Sequence, residues 1–229
     1  MRYILLNNTT KERGKKTIKQ VDNKEYNKRD YIDFSIDWLQ IGDYELKILI
    51  LTSVLEDVDL AFNGNLKTMC EWLGIKSTPN NNNNIKQAIE NLSSSSYIEF
   101  TKKGQKYIIT VTDKGKENNK IIAIRKCWVE TFKNYKEQVK NVSIGWINLL
   151  KVFVYICSKN KHIFTQNEIA KELNISIRTV ATALQVISQC KLQGLKIFKD
   201  RATEEYKDFK GNKFIYNIGT EIIVGMEFE

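Results

Sequence analysis

Apolar residues recur at three- and four-residue spacing in three successive stretches of the first half of the chain, and this spacing is typical of amphipathic helices. The three sets are Leu46, Leu49, Ile50, Val54 and Leu55; Leu66, Met69, Cys70 and Leu73; and Ile85, Ala88, Ile89 and Leu92. Asp43 can cap the first helix, and Gly74 can end the second because glycine adopts positive φ without a steric penalty. Ser77 or Thr78 can cap the third helix, with Pro79 in its first turn, where a missing N–H costs nothing.

Two segments rich in β-branched and aromatic residues follow the third helix, at 97–100 and 107–111. They enclose a short basic segment, so the pattern predicts a β-hairpin with a positively charged tip. The tip lysines are Lys102, Lys103 and Lys106. Residues 31–38 also alternate, which predicts a short edge strand before the first helix.

The same order of elements returns about one hundred residues later. Leu73-Gly74-Ile75 corresponds to Leu173-Asn174-Ile175, and residues 103–108 correspond to 210–215. The buried set of the third helix corresponds to Val180, Ala183, Leu184 and Ile187. The offset changes from 100 to 95 to 107 along the chain, which indicates loops of different length in two divergent copies of one module.

In the second copy the helix boundaries are clearer. Residues 146–157 predict its first helix, and Thr165 can cap the second in a capping box with Glu168. Asn174 takes the place of Gly74, and Ser176 can cap the third helix. Hairpin strands are predicted at 195–198 and 214–218. The lysines near the tip of this hairpin are Lys207, Lys210 and Lys213.

The run 164–180 resembles the helix-turn-helix core of bacterial winged-helix proteins. It has the small Ala170, which in that family lets two helices approach, and its segment Ser176-Ile177-Arg178-Thr179-Val180 is similar to the start of a recognition helix. The resemblance implies an α+β fold with two tandem winged-helix domains joined by an amphipathic helix. The predicted parts are a basic flexible arm (1–29), a first module (30–113), a connector helix (114–142) and a second module (143–229).

The resemblance also implies which residues contact DNA. Burial of the apolar set on the third helix of the second module leaves Ile177, Arg178, Thr179, Ala181, Thr182 and Gln185 facing outward. Arg178 can donate two hydrogen bonds to guanine, Gln185 can pair with adenine, and a threonine or alanine can contact the methyl group of thymine. The alternative is an ordinary polar helix surface.

The third helix of the first module has a corresponding outward set, which includes Asn81 and Asn82 and whose candidate DNA contacts are Asn83, Asn84, Lys86 and Gln87. Asparagine is suited to adenine edges in the major groove. Equally, the run of five asparagines at 80–84 could fill a loop without contacting DNA.

Between the modules, apolar residues are spaced three or four apart and predict one face of a connector helix. They are Ile121, Ile124, Trp128, Phe132, Tyr135 and Val139. Packing of this stripe within the same chain is the favoured interpretation, and pairing with its copy in a homodimer is the alternative.

The net charge of +9 is unevenly distributed. Residues 1–29 have nine Lys/Arg against three acidic residues, and residues 114–140 have eight against three. Positive charge on an arm and a connector suits contact with a phosphate backbone through counterion release, although solvated segments have the same composition.

Several classes of function are not indicated. Four scattered cysteines without a Cys-x-x-Cys pair, together with a single histidine, predict free thiols and no metal site or other cofactor. No stretch has the length of a membrane span or the apolar core of a signal peptide, so we expect an intracellular, cytoplasmic protein without a membrane partner. The pair Asp57 and Asp59 superficially resembles the metal-binding aspartates of some primases, but no third carboxylate follows at a suitable spacing. We therefore expect a binding protein and not an enzyme.

The expected function is sequence-specific binding of double-stranded DNA. Two winged helices joined by a connector resemble the replication initiators of bacterial plasmids and the replication organisers of phages of Gram-positive bacteria. This resemblance implies a role in replication or maintenance of a mobile element. A transcriptional regulator of such an element is one alternative, and a winged-helix scaffold for protein–protein contacts is another.

Overall fold

The computed structural model describes residues 4–6, 31–56, 62–112, 121–158, 163–191, 195–201, 213–220 and 223–225. These residues form a mixed α+β protein with small antiparallel sheets, which agrees with the predicted class. The chain divides into two compact units, Tyr26–Lys126 and Cys127–Glu229 with Met1–Glu25. The division falls inside the predicted connector, whose residues 127–142 group with the second module.

The described helices are α1 (Asp43–Glu56), α2 (Leu66–Leu73), α3 (Pro79–Ser94), α4 (Lys126–Lys133), α5 (Trp146–Ser158), α6 (Gln166–Leu173) and α7 (Ile177–Gln189). The described strands are β1 (Ile4–Leu6), β2 (Tyr31–Ser35), β3 (Phe62–Gly64), β4 (Ile98–Lys103), β5 (Lys106–Val111), β6 (Ile121–Arg125), β7 (Ile163–Thr165), β8 (Leu195–Arg201), β9 (Lys213–Thr220) and β10 (Ile223–Gly225). Short 3-10 helices lie at Ile36–Gln40 and Tyr135–Glu137.

Two stretches of the chain have the same order of elements. The first is α1, β3, α2, α3, β4 and β5, and the second is α5, β7, α6, α7, β8 and β9. Each stretch has a three-stranded antiparallel sheet in which the last strand lies in the middle, in the order β3-β5-β4 or β7-β9-β8. The repeat predicted from the sequence is therefore present in both element order and strand order.

The helices of the first module begin and end largely where capping predicts. Thr78 accepts a hydrogen bond from the backbone N–H of Asn81 at the start of α3, and Pro79 is the first helical residue. Gly74 ends α2 in the left-handed conformation, at φ 69°. Asp43 is not a cap, because the N–H of Leu46 bonds to the carbonyl of Gly42 and places Asp43 inside α1.

The core of the first module contains most of the apolar residues that define its helices, but Val54, Leu55 and Leu66 are only half-buried, and Ile48 and Leu51, outside the predicted sets, are buried. Leu46, Leu49, Ile50, Met69, Cys70, Leu73, Ile85, Ala88, Ile89 and Leu92 are all buried. On the hairpin, alternate residues Tyr107, Ile109 and Val111 of β5 are also buried, so this strand presents one face to the helices and the other to solvent. Burial of these side chains is the main source of stability for the module.

Strand β3 is an element that the sequence did not predict. Phe62 is buried and pairs with Ile109 of β5, and Gly64 pairs with Tyr107. Three residues are too few to show the alternation by which a strand is recognised in a sequence. The aspartate pair at 57–59 lies outside the described residues.

The predicted connector helix is wrong over its first part. Residues 121–125 form β6, which pairs antiparallel with β2, and the helix α4 spans only Lys126–Lys133. Both Ile122 and Ile124 are buried, which is the two-residue period of a strand. The predicted helical stripe contains Ile121 and Ile124 but not the neighbouring apolar residue Ile122.

The rest of the apolar stripe packs within the same chain, as favoured over pairing in a dimer. Trp128, Phe132, Tyr135 and Val139 are buried, and the rings of Trp128 and Phe132 lie with their centroids 5.3 Å from that of Phe153 in α5. Helix α5 is itself buried on nearly all sides, from Trp146 to Ile156 with the exception of residue 148. The connector residues after 126 therefore belong to the core of the second unit.

The predicted flexible arm also differs from the structure at its start. Ile4–Leu6 form β1, which pairs antiparallel with β10, so these three residues have defined partners in the second unit. Residues 1–3 and 7–29 of the arm lie outside the described part of the chain. None of the helices in the described ranges has the length and apolar character needed to cross a membrane.

Candidate nucleic-acid interface

Helix α7 is held at its start by its own cap. The hydroxyl oxygen of Ser176 accepts a hydrogen bond of 3.0 Å from the N–H of Thr179, and the two hydroxyl groups lie 2.8 Å apart. On the inner face Val180, Ala183, Leu184 and Ile187 are buried as predicted, together with Val186. Capping and burial therefore fix which face of α7 is turned outward.

The preceding turn is also built from the predicted residues. Thr165 accepts from the N–H of Glu168 at 3.1 Å, and the carboxylate of Glu168 accepts from the N–H of Thr165 at 2.7 Å, which completes the capping box of α6. Asn174 ends α6 in the left-handed conformation, at φ 51°. The N–H of Ile175 then bonds to the carbonyl of Ala170, which closes the turn into α7.

The outward face of α7 has polar side chains that are accessible to a partner. Arg178 and Gln185 are exposed, and within the described part of the chain neither side chain forms a hydrogen bond or an ion pair. Thr179, Ala181 and Thr182 are half-buried. The hydroxyl of Thr182 donates to the carbonyl of Arg178 at 2.8 Å, which leaves its oxygen as an acceptor. Ile177, the first residue of the helix, is 51% exposed.

On the corresponding face of α3, three of the six outward residues form intramolecular hydrogen bonds: Asn81, Asn82 and Gln87. The amide oxygen of Asn81 accepts from the hydroxyl of Tyr44 at 2.9 Å, and its amide nitrogen donates to the carbonyl of Lys76. Asn82 accepts from the hydroxyl of Ser77 and from the thiol of Cys70. Residues 80–84 thus lie in a helix, so the hypothesis that the asparagine run fills a loop is wrong.

A second chain of hydrogen bonds fixes the middle of α3. The amide of Gln87 donates to Asn91 at 3.0 Å, and Asn91 donates to the carboxylate of Glu45 in α1 at 2.9 Å. The predicted DNA contact Gln87 is exposed but already has an intramolecular partner. The partner of Gln87 lies four residues later on the same helix and was a local signal in the sequence, whereas the bond from Asn91 to Glu45 spans 46 residues and was not.

The remaining predicted DNA contacts on α3 form no side-chain hydrogen bonds within the described part of the chain. Asn83 and Lys86 are exposed and Asn84 is half-buried, and the described structure gives their side chains no polar partner. One turn further along, Glu90 is exposed at the position that Gln185 occupies in α7, five residues after the aligned Ile85 and Val180. An outward carboxylate at this point disfavours the approach of this helix to a phosphate backbone. The sequence already contained this signal, because Glu90 aligns with Gln185 at the 95-residue offset between the two modules.

The tip of the hairpin of the first module is a basic surface. Lys102, Lys103 and Lys106 are all exposed at its tip, on either side of a turn at Gly104, which has φ 62°. Lys103 and Lys106 are directly opposed partners in the ladder. Neither has an acidic partner among the residues that the structure describes.

Two like charges placed directly opposite each other destabilise a hairpin. The ammonium group of Lys102 is 5.7 Å from the centroid of the ring of Tyr107, its partner on the opposite strand, which is within cation–π distance. The tip is therefore a local concentration of positive charge without an intramolecular counterion within the described ranges. Such a surface is suited to binding an anionic partner.

The hairpin of the second module is longer than predicted. Its strands span Leu195–Arg201 and Lys213–Thr220 instead of 195–198 and 214–218. Lys213 is the first residue of β9, and its backbone lies opposite Thr165 of β7. Lys207 and Lys210 lie outside the described residues, so their predicted place at the tip stays a prediction.

The thiols are free, as predicted, but they differ in environment. Cys70 is buried, Cys157 and Cys190 are half-buried and Cys127 is exposed. Burial raises the pKa of the Cys70 thiol, and the neighbouring side chain of Ser77 lowers it by a smaller amount. In the part of the chain that the structure describes, no three His, Cys, Asp or Glu side chains converge as metal ligands would.

No protein-family model matches the chain, and a comparison with curated proteins also found no match. The assignment of a function therefore depends on the side chains described above.

Proposed function

We propose that this chain is a sequence-specific, double-stranded DNA-binding protein without enzymatic activity, and that α7 is its base-reading helix. The observation that supports the proposal most directly is the outward face of α7. There, Arg178 lies in the first turn of a capped helix and Gln185 about two turns later, and both side chains have unused hydrogen-bonding groups. A bidentate arginine suits guanine and a glutamine suits adenine.

We also propose that both modules are winged-helix domains. Support comes from the order helix, strand, helix, helix, hairpin, which occurs twice with the same arrangement of strands. In such a domain the third helix enters the major groove and the hairpin lies over the phosphate backbone. The lysine-rich hairpin of the first module and the open face of α7 in the second have the chemistry that these two positions need.

The test begins with selection of bound sites from a random duplex library by the full chain. Affinity for the selected site and for random duplex is then measured across a range of salt concentrations. We expect Arg178→Ala to lower affinity for the selected site by about 1–3 kcal/mol and to leave binding to random duplex nearly unchanged. Gln189→Ala is the matched control, because Gln189 is exposed at the far end of the same helix.

Equal losses on selected and random DNA would remove Arg178 from base reading. Absence of any salt-dependent affinity for duplex would contradict DNA binding and would favour the scaffold alternative, since binding to phosphates weakens steeply as salt rises.

The process we propose is initiation of replication, or maintenance, of a plasmid or phage. Its support is the layout of two tandem modules, which resembles plasmid initiators and phage replication organisers. A transcriptional regulator of the same kind of element is the alternative. The selected site distinguishes them, because an array of repeated sites beside the gene indicates initiation, whereas a single palindrome at a promoter indicates regulation.

A further inference from the structure

One exposed side chain on α7 is apolar. Ile177 is 51% exposed, and it is the sole large hydrophobic residue with this degree of exposure among the side chains that the structure describes. It is the first residue of the helix, directly before Arg178 and directly after the cap residue Ser176. A single exposed apolar residue is common on protein surfaces, so its position must be weighed against what the fold requires.

The first module shows that the fold does not require an apolar residue at this point. Ile177 precedes the buried Val180 by three residues, and in α3 the residue three before the buried Ile85 is Asn82. The amide oxygen of Asn82 accepts hydrogen bonds from Ser77 at 3.3 Å and from the Cys70 thiol at 3.4 Å. The same position can therefore hold a polar residue that is bonded within its own module.

Isoleucine is also not favoured at this position by local structure. Its β-branch restricts the side chain in a helix, and exposure of its apolar surface to water has a free-energy cost. Neither the cap nor the buried stripe of α7 uses it, since these consist of Ser176 and of residues from Val180 onward. The role of Ile177 is thus expected to lie outside the chain itself.

The edges of the bases in the major groove expose one purely apolar group, the C5-methyl of thymine. Residues at the N-terminal end of a recognition helix are those that contact base edges. We propose that Ile177 contacts the methyl group of one thymine in the bound site and makes that position specific for thymine. This inference rests on the proposed function.

The test uses deoxyuridine, which differs from thymidine only by the missing methyl group. In the selected site, each thymine is replaced singly by deoxyuridine, and affinity is measured for the wild type, Ile177→Ala and Ile177→Val. For the wild type we expect about a fourfold loss at one thymine, which corresponds to about 0.8 kcal/mol for one buried methyl-sized group. For Ile177→Ala we expect no loss at that thymine, and for Ile177→Val an intermediate loss.

Two controls make the result specific. Gln189→Ala should keep the deoxyuridine pattern of the wild type, and the melting temperature of Ile177→Ala should match the wild type because the side chain is largely exposed. The inference is overturned if the wild type tolerates deoxyuridine at every position or if Ile177→Ala keeps the wild-type loss. A change of oligomeric state in Ile177→Ala with an unchanged deoxyuridine pattern would instead assign Ile177 to a protein contact.

Failure of the proposed function gives a different result. If the wild type shows no preference for any duplex sequence, sequence-specific binding and the thymine contact are both wrong. If the wild type selects a site and Arg178→Ala weakens it, but the deoxyuridine pattern does not depend on residue 177, only the thymine contact is wrong.

Discussion

The basic tip of the first hairpin allows a quantitative prediction about salt dependence. Lys103 and Lys106 are exposed, oppose each other across the turn, and have no acidic partner in the described structure. If each contacts one phosphate, the double variant Lys103→Gln/Lys106→Gln should reduce the slope of log affinity against log salt by about 1.8, at about 0.9 per phosphate contact. Between 50 and 200 mM salt, the double variant should therefore lose about 12-fold less affinity than the wild type.

The assay is fluorescence anisotropy with a random-sequence duplex at several salt concentrations, because this contribution is independent of base sequence. The charge-conserving variant Lys103→Arg/Lys106→Arg should keep the wild-type slope. Folding stability gives a second readout. Removal of two opposed like charges should leave the melting temperature unchanged or slightly higher, so weaker binding would not reflect unfolding.

The slope itself decides whether this interpretation is correct. A glutamine double variant with the wild-type slope would show that the hairpin tip does not contact phosphate. A slope reduced equally in the arginine and glutamine variants would show that lysine geometry matters and charge does not. Only the first result would remove the first hairpin from the proposed interface, whereas the second would keep the hairpin there and contradict a purely electrostatic contact.

Four further predictions follow from particular side chains. Lys86→Glu should weaken duplex binding and shorten the footprint if α3 faces DNA, and a variant with unchanged affinity and footprint would show that the second module binds alone. Thr165→Ala should lower the free energy of unfolding by about 1 kcal/mol, measured in urea, through loss of the capping box of α6; no change would show that the cap contributes nothing. Asn174→Ala should destabilise the protein by about 1 kcal/mol at φ 51°, whereas Asn174→Gly should not, and equal effects would contradict strain at this turn. In alkylation at pH 8, Cys127 should react before Cys70, because Cys70 is buried and its raised pKa lowers the thiolate fraction; peptide mapping by mass spectrometry gives the order.

Features that depend on neighbouring residues in the chain were predictable from the sequence. The buried set Val180, Ala183, Leu184 and Ile187 follows from helical spacing, and the caps at Thr78, Thr165 and Ser176 follow from side chains that bond three residues ahead. The left-handed turns at Gly74 and Asn174 are local in the same sense. For this reason the sequence also predicted the outward position of Arg178 and Gln185.

Features that depend on distant partners were not predictable in this way. Residues 121–125 became a strand because β2, some ninety residues earlier, supplies a pairing edge, and β3 exists because β5 pairs with it. Neither partner can be read from local spacing, since a short apolar segment fits a strand or a helix turn equally well.

The difference between the two third helices has the same origin. From the sequence alone, Gln87 in α3 and Thr182 in α7 are both polar residues on an outward face. In the folded chain, Gln87 is bonded through Asn91 to Glu45, which belongs to another helix, whereas Thr182 bonds only to its own helix. The sequence by itself determined which faces of the helices are buried, because burial follows the helical period. The tertiary structure decided which of the outward side chains remain available to a partner, because that depends on the elements that pack beside them.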